Sequence, residues 1–221
     1  SRRAHQQQIN QIAFTSDSLT IGSVSNDGHI KLWGLAGDHP VGEIEGHQGP
    51  VNTIAFSPDG SRFVTGGRDS VLRIWNRQSR QLTEEIPGDQ LGILTVDWSP
   101  DGKWIASGGY DHSIYVWDVN RGAQQANLKG HKGPVTQVRF SPDSERIVSA
   151  SYDFSLKLWD AVYGNQILTL PGHRGVTWCV EFSPQGDWIA SGSSDSQIRL
   201  WDGRPGHTPS TPVAPQALSS R

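Results

Sequence analysis

Several features that mark common protein classes are scarce in this 221-residue chain. Cys179 is the only cysteine, so we expect neither an internal disulfide framework nor a cysteine-rich zinc site. No apolar run approaches the ~18 residues of a membrane span, and no charged-then-apolar signal segment opens the chain. The basic residues are scattered and the formal net charge is −3, which disfavours a nucleic-acid or membrane-surface partner. We therefore expect an intracellular protein, cytoplasmic or nuclear.

What the chain does contain is a repeat with a period of 42 residues, which indicates a repeat architecture. Four columns keep this period: a His, a Ser or Thr, an Asp and a Trp. The columns are His5, His47, His131 and His173; Ser23, Thr65, Ser107, Ser149 and Ser191; Asp27, Asp69, Asp111, Asp153 and Asp195; Trp33, Trp75, Trp117, Trp159 and Trp201. Because no insertion breaks the period, the loops must have the same lengths in every unit.

A complete unit contains four short β-runs separated by turn residues. In one unit they fall at 51–56, 62–67, 71–75 and 81–86, and Ser57-Pro58-Asp59-Gly60 has the chemistry of a type I turn. Four short antiparallel strands in each ~40-residue unit are typical of a propeller blade. The sequence predicts an all-β β-propeller over residues 1–202, with four-stranded antiparallel blades at about 5–44, 47–86, 89–128, 131–170 and 173–202.

The unit also resembles the WD-repeat family. The family's Gly-His and Trp-Asp pairs occur as Gly130-His131 with Trp159-Asp160 and as Gly172-His173 with Trp201-Asp202. Trp33 and Trp75 lack the following Asp, and the third unit has Gly88-Asp89 in place of Gly-His. The resemblance covers residues 5–202 and implies a WD propeller, a fold that in this family most often has seven blades.

The His, Ser and Asp columns also match the composition of a hydrolase triad, for example His131, Ser149 and Asp153. The same trio recurs in several units, however, and the chain lacks a G-x-S-x-G nucleophile elbow. The family resemblance instead implies that the four columns form structural tetrads, each a buried hydrogen-bond chain. We therefore predict no enzyme and no cofactor, and no metal site because the histidines are not paired at ligand spacing.

Asp89 breaks the histidine column in the third unit. A carboxylate cannot donate a hydrogen bond as imidazole does, and it would repel the neighbouring carboxylate of Asp111. We therefore expect Asp89 to point toward solvent and the loop 87–92 to be looser than its equivalents.

The family resemblance implies that a partner docks on the propeller face that carries the turn-Asp loops. Residues predicted at that face vary between units, and they include Tyr, Trp and Arg, which are enriched at binding hot spots. The candidates are Asn26, Asn52, Arg68, Leu94, Tyr110, Tyr152, Trp178 and Ser194. The alternative is that Trp178 packs inside a blade and that the tyrosines are half-buried cover.

We predict a non-catalytic protein-interaction scaffold that binds a peptide or a partner subunit within a multiprotein complex. An RNA-binding propeller is the alternative, and an enzyme framed by a propeller is a less favoured one.

The closure of the ring is a separate question. The fifth unit ends at Trp201-Asp202 without a clear fourth strand. Residues 203–221 contain four prolines, which favours a flexible tail or linker. Because the chain begins at Ser1 and contains no methionine, we expect it to be the C-terminal portion of a longer propeller. A closed five-bladed ring, or pairing of open edges between chains, are the alternatives.

Overall fold

A computed structural model describes residues 4–37, 39–89 and 91–204, so the predicted tail lies mostly outside the described residues. The regular structure of the described part consists entirely of β-strands. The strands are β1 Ile9–Phe14, β2 Thr20–Ser25, β3 His29–Gly34 and β4 Pro40–Glu45; β5 Val51–Phe56, β6 Arg62–Gly67, β7 Val71–Asn76 and β8 Leu82–Pro87; β9 Ile93–Trp98, β10 Trp104–Gly109, β11 Ser113–Asp118 and β12 Ala123–Lys129; β13 Val135–Phe140, β14 Arg146–Ser151, β15 Leu156–Asp160 and β16 Gln166–Leu170; β17 Thr177–Phe182, β18 Trp188–Ser193 and β19 Ile198–Asp202.

Consecutive strands form five antiparallel meanders, which we call blades 1 to 5. Blades 1 to 4 have four strands each, and blade 5 has three among the described residues. The predicted all-β architecture of propeller-type blades is confirmed.

Turn chemistry explains why the strands end where the repeat predicts. After β5, the Gly60 amide donates to the Ser57 carbonyl at 2.8 Å, and the Ser57 hydroxyl accepts the Arg62 amide at 3.0 Å. Gly60 has φ +67°, a conformation that favours glycine. The Ser57 side chain thus links the end of β5 to the start of β6.

The blades pack face to face in chain order, with their first strands β1, β5, β9, β13 and β17 adjacent. Each junction buries an apolar cluster. Between blades 1 and 2 it contains Val24, Ile30, Leu32, Ile44, Val51, Ile54, Phe63 and Trp75. One polar bond recurs beside the clusters: the Ile54 amide donates to Gln11 Oε1 at 2.9 Å, and the Val180 amide donates to Gln137 Oε1 at 2.7 Å.

The five described blades form an open arc. Strands β1 and β17 do not pack on each other as consecutive first strands do. Ile12 on blade 1 and Ile198 on blade 5 are therefore exposed. This arrangement contradicts the alternative of a ring closed by five blades.

A candidate protein-interaction face

Hydrogen bonds join the four columns of the repeat inside the blades. In blade 4, Trp159 Nε1 donates to Ser149 Oγ at 2.8 Å, Ser149 Oγ lies 2.7 Å from His131 Nε2, and His131 Nδ1 lies 2.9 Å from Asp153 Oδ2. The corresponding bonds join His5, Ser23, Asp27 and Trp33 in blade 1, His47, Thr65, Asp69 and Trp75 in blade 2, and His173, Ser191, Asp195 and Trp201 in blade 5.

In the tetrad of blade 4, the electrostatics favour a neutral histidine beside an ionised aspartate. Burial lowers the pKa of His131, which keeps the imidazole neutral. Burial alone would raise the pKa of Asp153, but hydrogen bonds from His131, Ser155 and the Lys132 amide hold it well below its usual value. Ser149 is fully buried, so its hydroxyl cannot reach a substrate. The trio that resembles a triad instead ties the loop before each blade to its second and third strands.

The expectation that Asp89 points toward solvent is wrong: its side chain is fully buried. Two backbone amides take the place of water, because Oδ1 accepts from Leu91 at 2.7 Å and Oδ2 accepts from Asp111 at 3.1 Å. Burial, together with the neighbouring Asp111 carboxylate, raises the pKa of Asp89. Asp111 in turn accepts a hydrogen bond from Tyr115 Oη at 2.7 Å. Blade 3 therefore replaces the His–Asp pair with two carboxyls: Asp89 accepts from backbone amides and Asp111 accepts from the Tyr115 hydroxyl.

The turns between the second and third strands lie at the same end of each blade as the loops that enter the first strands. Backbone bonds join the two, for example from Tyr152 N to Pro134 O at 2.9 Å and from Arg68 N to Pro50 O at 3.0 Å. We call this end the loop face. It carries the residues that the sequence predicts as the partner site.

A β-bulge directs one side chain of each first strand relative to this face. In β17, Thr177 pairs with Ser193 and Cys179 pairs with Gly192, so that Trp178 is left unpaired between them. A bulged residue is freed from the regular alternation of the strand and its side chain is re-aimed. The same register shift skips Asn10, Asn52, Leu94 and Thr136.

Two of the predicted residues meet in an aromatic pair. Trp178 packs edge-on against Tyr152 with 5.2 Å between the ring centroids, and both rings are about half exposed. Trp178 therefore does not pack inside a blade. Arg68, Tyr110 and Ser194 are exposed on the turns of blades 2, 3 and 5.

The other three predicted residues have structural partners. Asn52 Nδ2 donates to the Ile93 carbonyl of the next blade at 2.7 Å. Asn26 Oδ1 accepts from Asn10 Nδ2 at 2.8 Å, and Leu94 is partly buried. Asn52 thus stabilises a blade junction and Asn26 stabilises a turn, so the amides of both are already engaged.

Phe154 is a residue of this face that the sequence prediction missed. It is exposed beside the turn of blade 4 and has φ +71°, a left-handed conformation that is rare for a bulky side chain. The corresponding position in blade 1 is Gly28, with φ +84°. The same position holds Ser70, His112 and Ser196 in blades 2, 3 and 5, with φ +64° to +70°, so the left-handed turn is common to all five blades. The bulky aromatic ring among small or polar residues was the signal in the sequence.

Exposed cations lie on the loops and turns of this face. Arg68, Lys132 and Arg174 are exposed, and among the described residues none of them has a carboxylate partner. The turn aspartates are engaged: Asp153 with His131, for instance, and Asp195 with His173. The face therefore offers positive charge beside exposed aromatic rings.

The sequence prediction also missed a set of ion pairs that joins the first strands of blades 3, 4 and 5. Arg139 Nε lies 3.0 Å from Glu181 Oε2, and Arg139 Nη1 lies 3.9 Å from Asp97 Oδ1. The three residues line a cleft of about 370 Å³, and burial raises the pKa of Asp97 to about 6. They are 42 residues apart, so the repeat itself contained the signal. Each carboxylate lies against the same guanidinium, which suits a structural ion pair.

Neither metal nor membrane chemistry emerges from the described residues. In that part of the chain, no group of three or more His, Cys, Asp or Glu side chains is placed to hold a metal ion. Among the same residues, no helix has the length and apolar character that a membrane crossing requires.

Comparison with protein families gives one result that covers most of the chain. The family model described as WD domain, G-beta repeat matches residues 1–34, 38–76, 80–118, 122–160 and 164–202. The chain belongs to the WD40 repeat family, whose members are generally non-catalytic scaffolds for protein–protein interaction. A comparison with individual curated proteins found no match. The match 38–76 begins before β4 and ends with β7, so a sequence repeat joins the outer strand of one blade to the next blade.

Proposed function

We propose that this chain is a non-catalytic scaffold that binds a protein segment on its loop face, centred on Tyr152 and Trp178. The observation that carries the proposal is the edge-on contact of these two rings, 5.2 Å apart and about half exposed. Half-exposed Trp and Tyr side chains offer large rigid contact areas at little cost in conformational entropy. Such residues dominate binding energy where a partner covers them.

Phe154 supports the same location. Its left-handed backbone costs of order 1 kcal/mol or more, and its ring gains little burial in return because it remains exposed. Its turn also carries Tyr152, so both residues lie at the same end of blade 4. A contact with a partner would explain why a phenylalanine stands at this position.

The charges of the face specify the chemistry of the partner. Arg68, Lys132 and Arg174 are exposed without carboxylate partners, whereas the turn aspartates are engaged inside the blades. Complementarity therefore favours an acidic segment with an apolar or aromatic anchor. The anchor would pack on Tyr152 and Trp178 while its flanking carboxylates face the cations.

Single-stranded RNA is the competing ligand, because it also uses stacking on aromatic rings and basic side chains. Three free cations form a weak electrostatic footprint for a polyanion, and the whole chain carries a net charge of −3. The observations therefore favour a protein segment.

Fluorescence anisotropy with three defined probes tests the proposal. The probes are an acidic peptide with a single Phe, the same peptide with Lys in place of each acid, and a U-rich single-stranded RNA of similar length. Trp178→Ala and Tyr152→Ala are compared with Tyr163→Ala. Tyr163 is exposed on the β15–β16 loop, at the opposite end of the blade from the loop face, and is the matched control.

We expect the acidic peptide to bind more tightly than the other two probes. Loss of one aromatic anchor should weaken its binding by about tenfold or more, and Tyr163→Ala should leave it unchanged. Preferential RNA binding with a steep salt dependence would replace the protein ligand with a polyanion. Equal effects of the three alanine substitutions would refute the loop face as the site.

A further inference from the structure

The two end blades expose surfaces that every other blade buries. We call the surface of a blade that meets the preceding blade its leading face, and the one that meets the following blade its trailing face. On trailing faces, Ile30, Leu72, Ile114 and Leu156 are each 0% exposed, whereas the corresponding Ile198 of blade 5 is 77% exposed. On leading faces, Ile54 is 1% exposed, whereas the corresponding Ile12 of blade 1 is 57% exposed.

Four internal junctions show what covers such surfaces. In each of them the trailing face of one blade packs on the leading face of the next, with the same repeat positions in contact. Blade 5 presents Ala190, Gly192, Ile198 and Leu200 at the trailing positions, and blade 1 presents Ile12, Phe14, Ile21 and Trp33 at the leading positions. This chain thus carries both halves of one more junction at opposite ends of its arc.

We propose that the trailing face of blade 5 binds the leading face of blade 1 of a second copy, head to tail. The two faces differ in shape: the leading face carries only large side chains, whereas the trailing face includes Ala190 and Gly192, which leave room for such side chains. In the internal junctions, for example, a Cβ on trailing-face Gly66 would lie 2.7 Å from Ile93 of the next blade. The faces are therefore complementary to each other rather than to themselves, which requires a heterologous contact and not a symmetric one.

Cys179 makes this junction weaker than the internal ones. It stands at the position of Gln11 and Gln137, whose side-chain oxygens accept amides of the next blade. A thiol is a poor acceptor, so apolar burial must supply most of the stability of the contact between copies. Because the contact joins two separate chains, its extent depends on protein concentration. Cys179 is also exposed on the trailing face, which makes it a native reporter of whether that face is covered.

The experiment measures solution mass by light scattering and Cys179 reactivity with a maleimide, from nanomolar to high micromolar concentration. Ile12→Asp places a charge on the leading face of blade 1, and Ile198→Asp places a charge on the trailing face of blade 5, so each prevents apolar packing on that face. Ile167→Asp changes an equally exposed isoleucine on the outer strand of blade 4 and is the control. All three substitutions are at exposed positions, so the fold is retained, which circular dichroism verifies.

We expect mass to rise with concentration in the wild type and in Ile167→Asp, with Cys179 becoming protected. Ile12→Asp and Ile198→Asp should each be monomeric, and Ile12→Asp should keep Cys179 reactive although the substitution lies on the opposite face. An equimolar mixture of these two variants should form a heterodimer, because each retains one intact half of the junction. Cys179→Gln should strengthen the association by restoring the amide acceptor.

Three results would overturn the proposal. A wild-type chain that stays monomeric with Cys179 reactive at every concentration would show that the faces do not pair. Association that only Ile198→Asp disrupts would show a symmetric contact between trailing faces in place of the head-to-tail one. A mixture of the two variants that forms no heterodimer would show that a leading face does not bind a trailing face.

Discussion

The tetrads allow one substitution to be compared in a complete and an incomplete network of the same chain. Ser149 accepts a hydrogen bond from Trp159 and bonds to His131. Ser107, at the same position of blade 3, accepts from Trp117 at 3.0 Å, and Asp89 replaces the histidine. Both serines are fully buried, so Ser149→Ala and Ser107→Ala remove the same atom from the same depth.

The expected costs differ by one stranded polar group. Ser149→Ala leaves the indole N–H of Trp159 and Nε2 of His131 buried without partners, whereas Ser107→Ala strands only the indole of Trp117. Each stranded group costs about 1–3 kcal/mol. Ser149→Ala should therefore lower the free energy of unfolding by about 1–3 kcal/mol more than Ser107→Ala. The melting temperature falls by about 2–4 °C per kcal/mol in a domain of this size.

Urea and thermal unfolding, followed by far-ultraviolet circular dichroism, measure both variants against the wild type. Effects of the substitution on the unfolded chain are the same at both sites and cancel in the comparison. Equal destabilisation by the two variants would refute the argument that the histidine bond contributes to each tetrad, and so would greater destabilisation by Ser107→Ala.

Three further substitutions test other parts of the account. Burial raises the pKa of Asp89 to about 6, so its protonated form stabilises the fold at low pH and this contribution is lost between about pH 4 and pH 6. Asp89→Asn should therefore gain stability relative to the wild type as the pH rises through that window. A stability difference that does not change with pH would contradict this. Phe154→Gly relieves a left-handed backbone with φ +71° and should raise stability by about 1 kcal/mol while weakening peptide binding, whereas stronger binding would remove Phe154 from the site. Gly108→Ala places a Cβ 2.7 Å from Cγ1 of Val135 in the next blade and should cost about 1–3 kcal/mol, and a neutral effect in urea unfolding would show that the junction yields.

Much of the fold follows from the spacing of residues alone. The four columns set the unit length, and turn chemistry such as that of Ser57 and Gly60 sets the strand ends, because both depend on local sequence. The strand predicted at 62–67 is β6, and the third strand extends only one residue beyond its prediction. Repetition made these inferences safe, since an error in one unit would have been visible against the other four.

The wrong or missing predictions concern residues whose burial and partners depend on the surrounding structure and not on the residue type. Asp89 was expected in solvent because a carboxylate cannot donate a hydrogen bond as imidazole does and would repel Asp111, but the Leu91 and Asp111 amides solvate it. Asn52 reads as a variable surface residue in sequence, yet its amide crosses to the next blade. The contrast between buried Ile54 and exposed Ile12 is invisible in the repeat, because the two columns are alike and only the neighbouring blade differs.

The central claim, that the loop face binds an acidic protein segment through Tyr152 and Trp178, is tested most directly by selection from a random peptide library. The immobilised wild-type chain selects the peptides, and Trp178→Ala and Tyr163→Ala are used in parallel. We expect enriched peptides that combine Asp or Glu with one aromatic or aliphatic anchor. These peptides should bind Tyr163→Ala as well as the wild type and should lose binding to Trp178→Ala. Enriched peptides without an acidic bias, or peptides that bind Trp178→Ala undiminished, would contradict it.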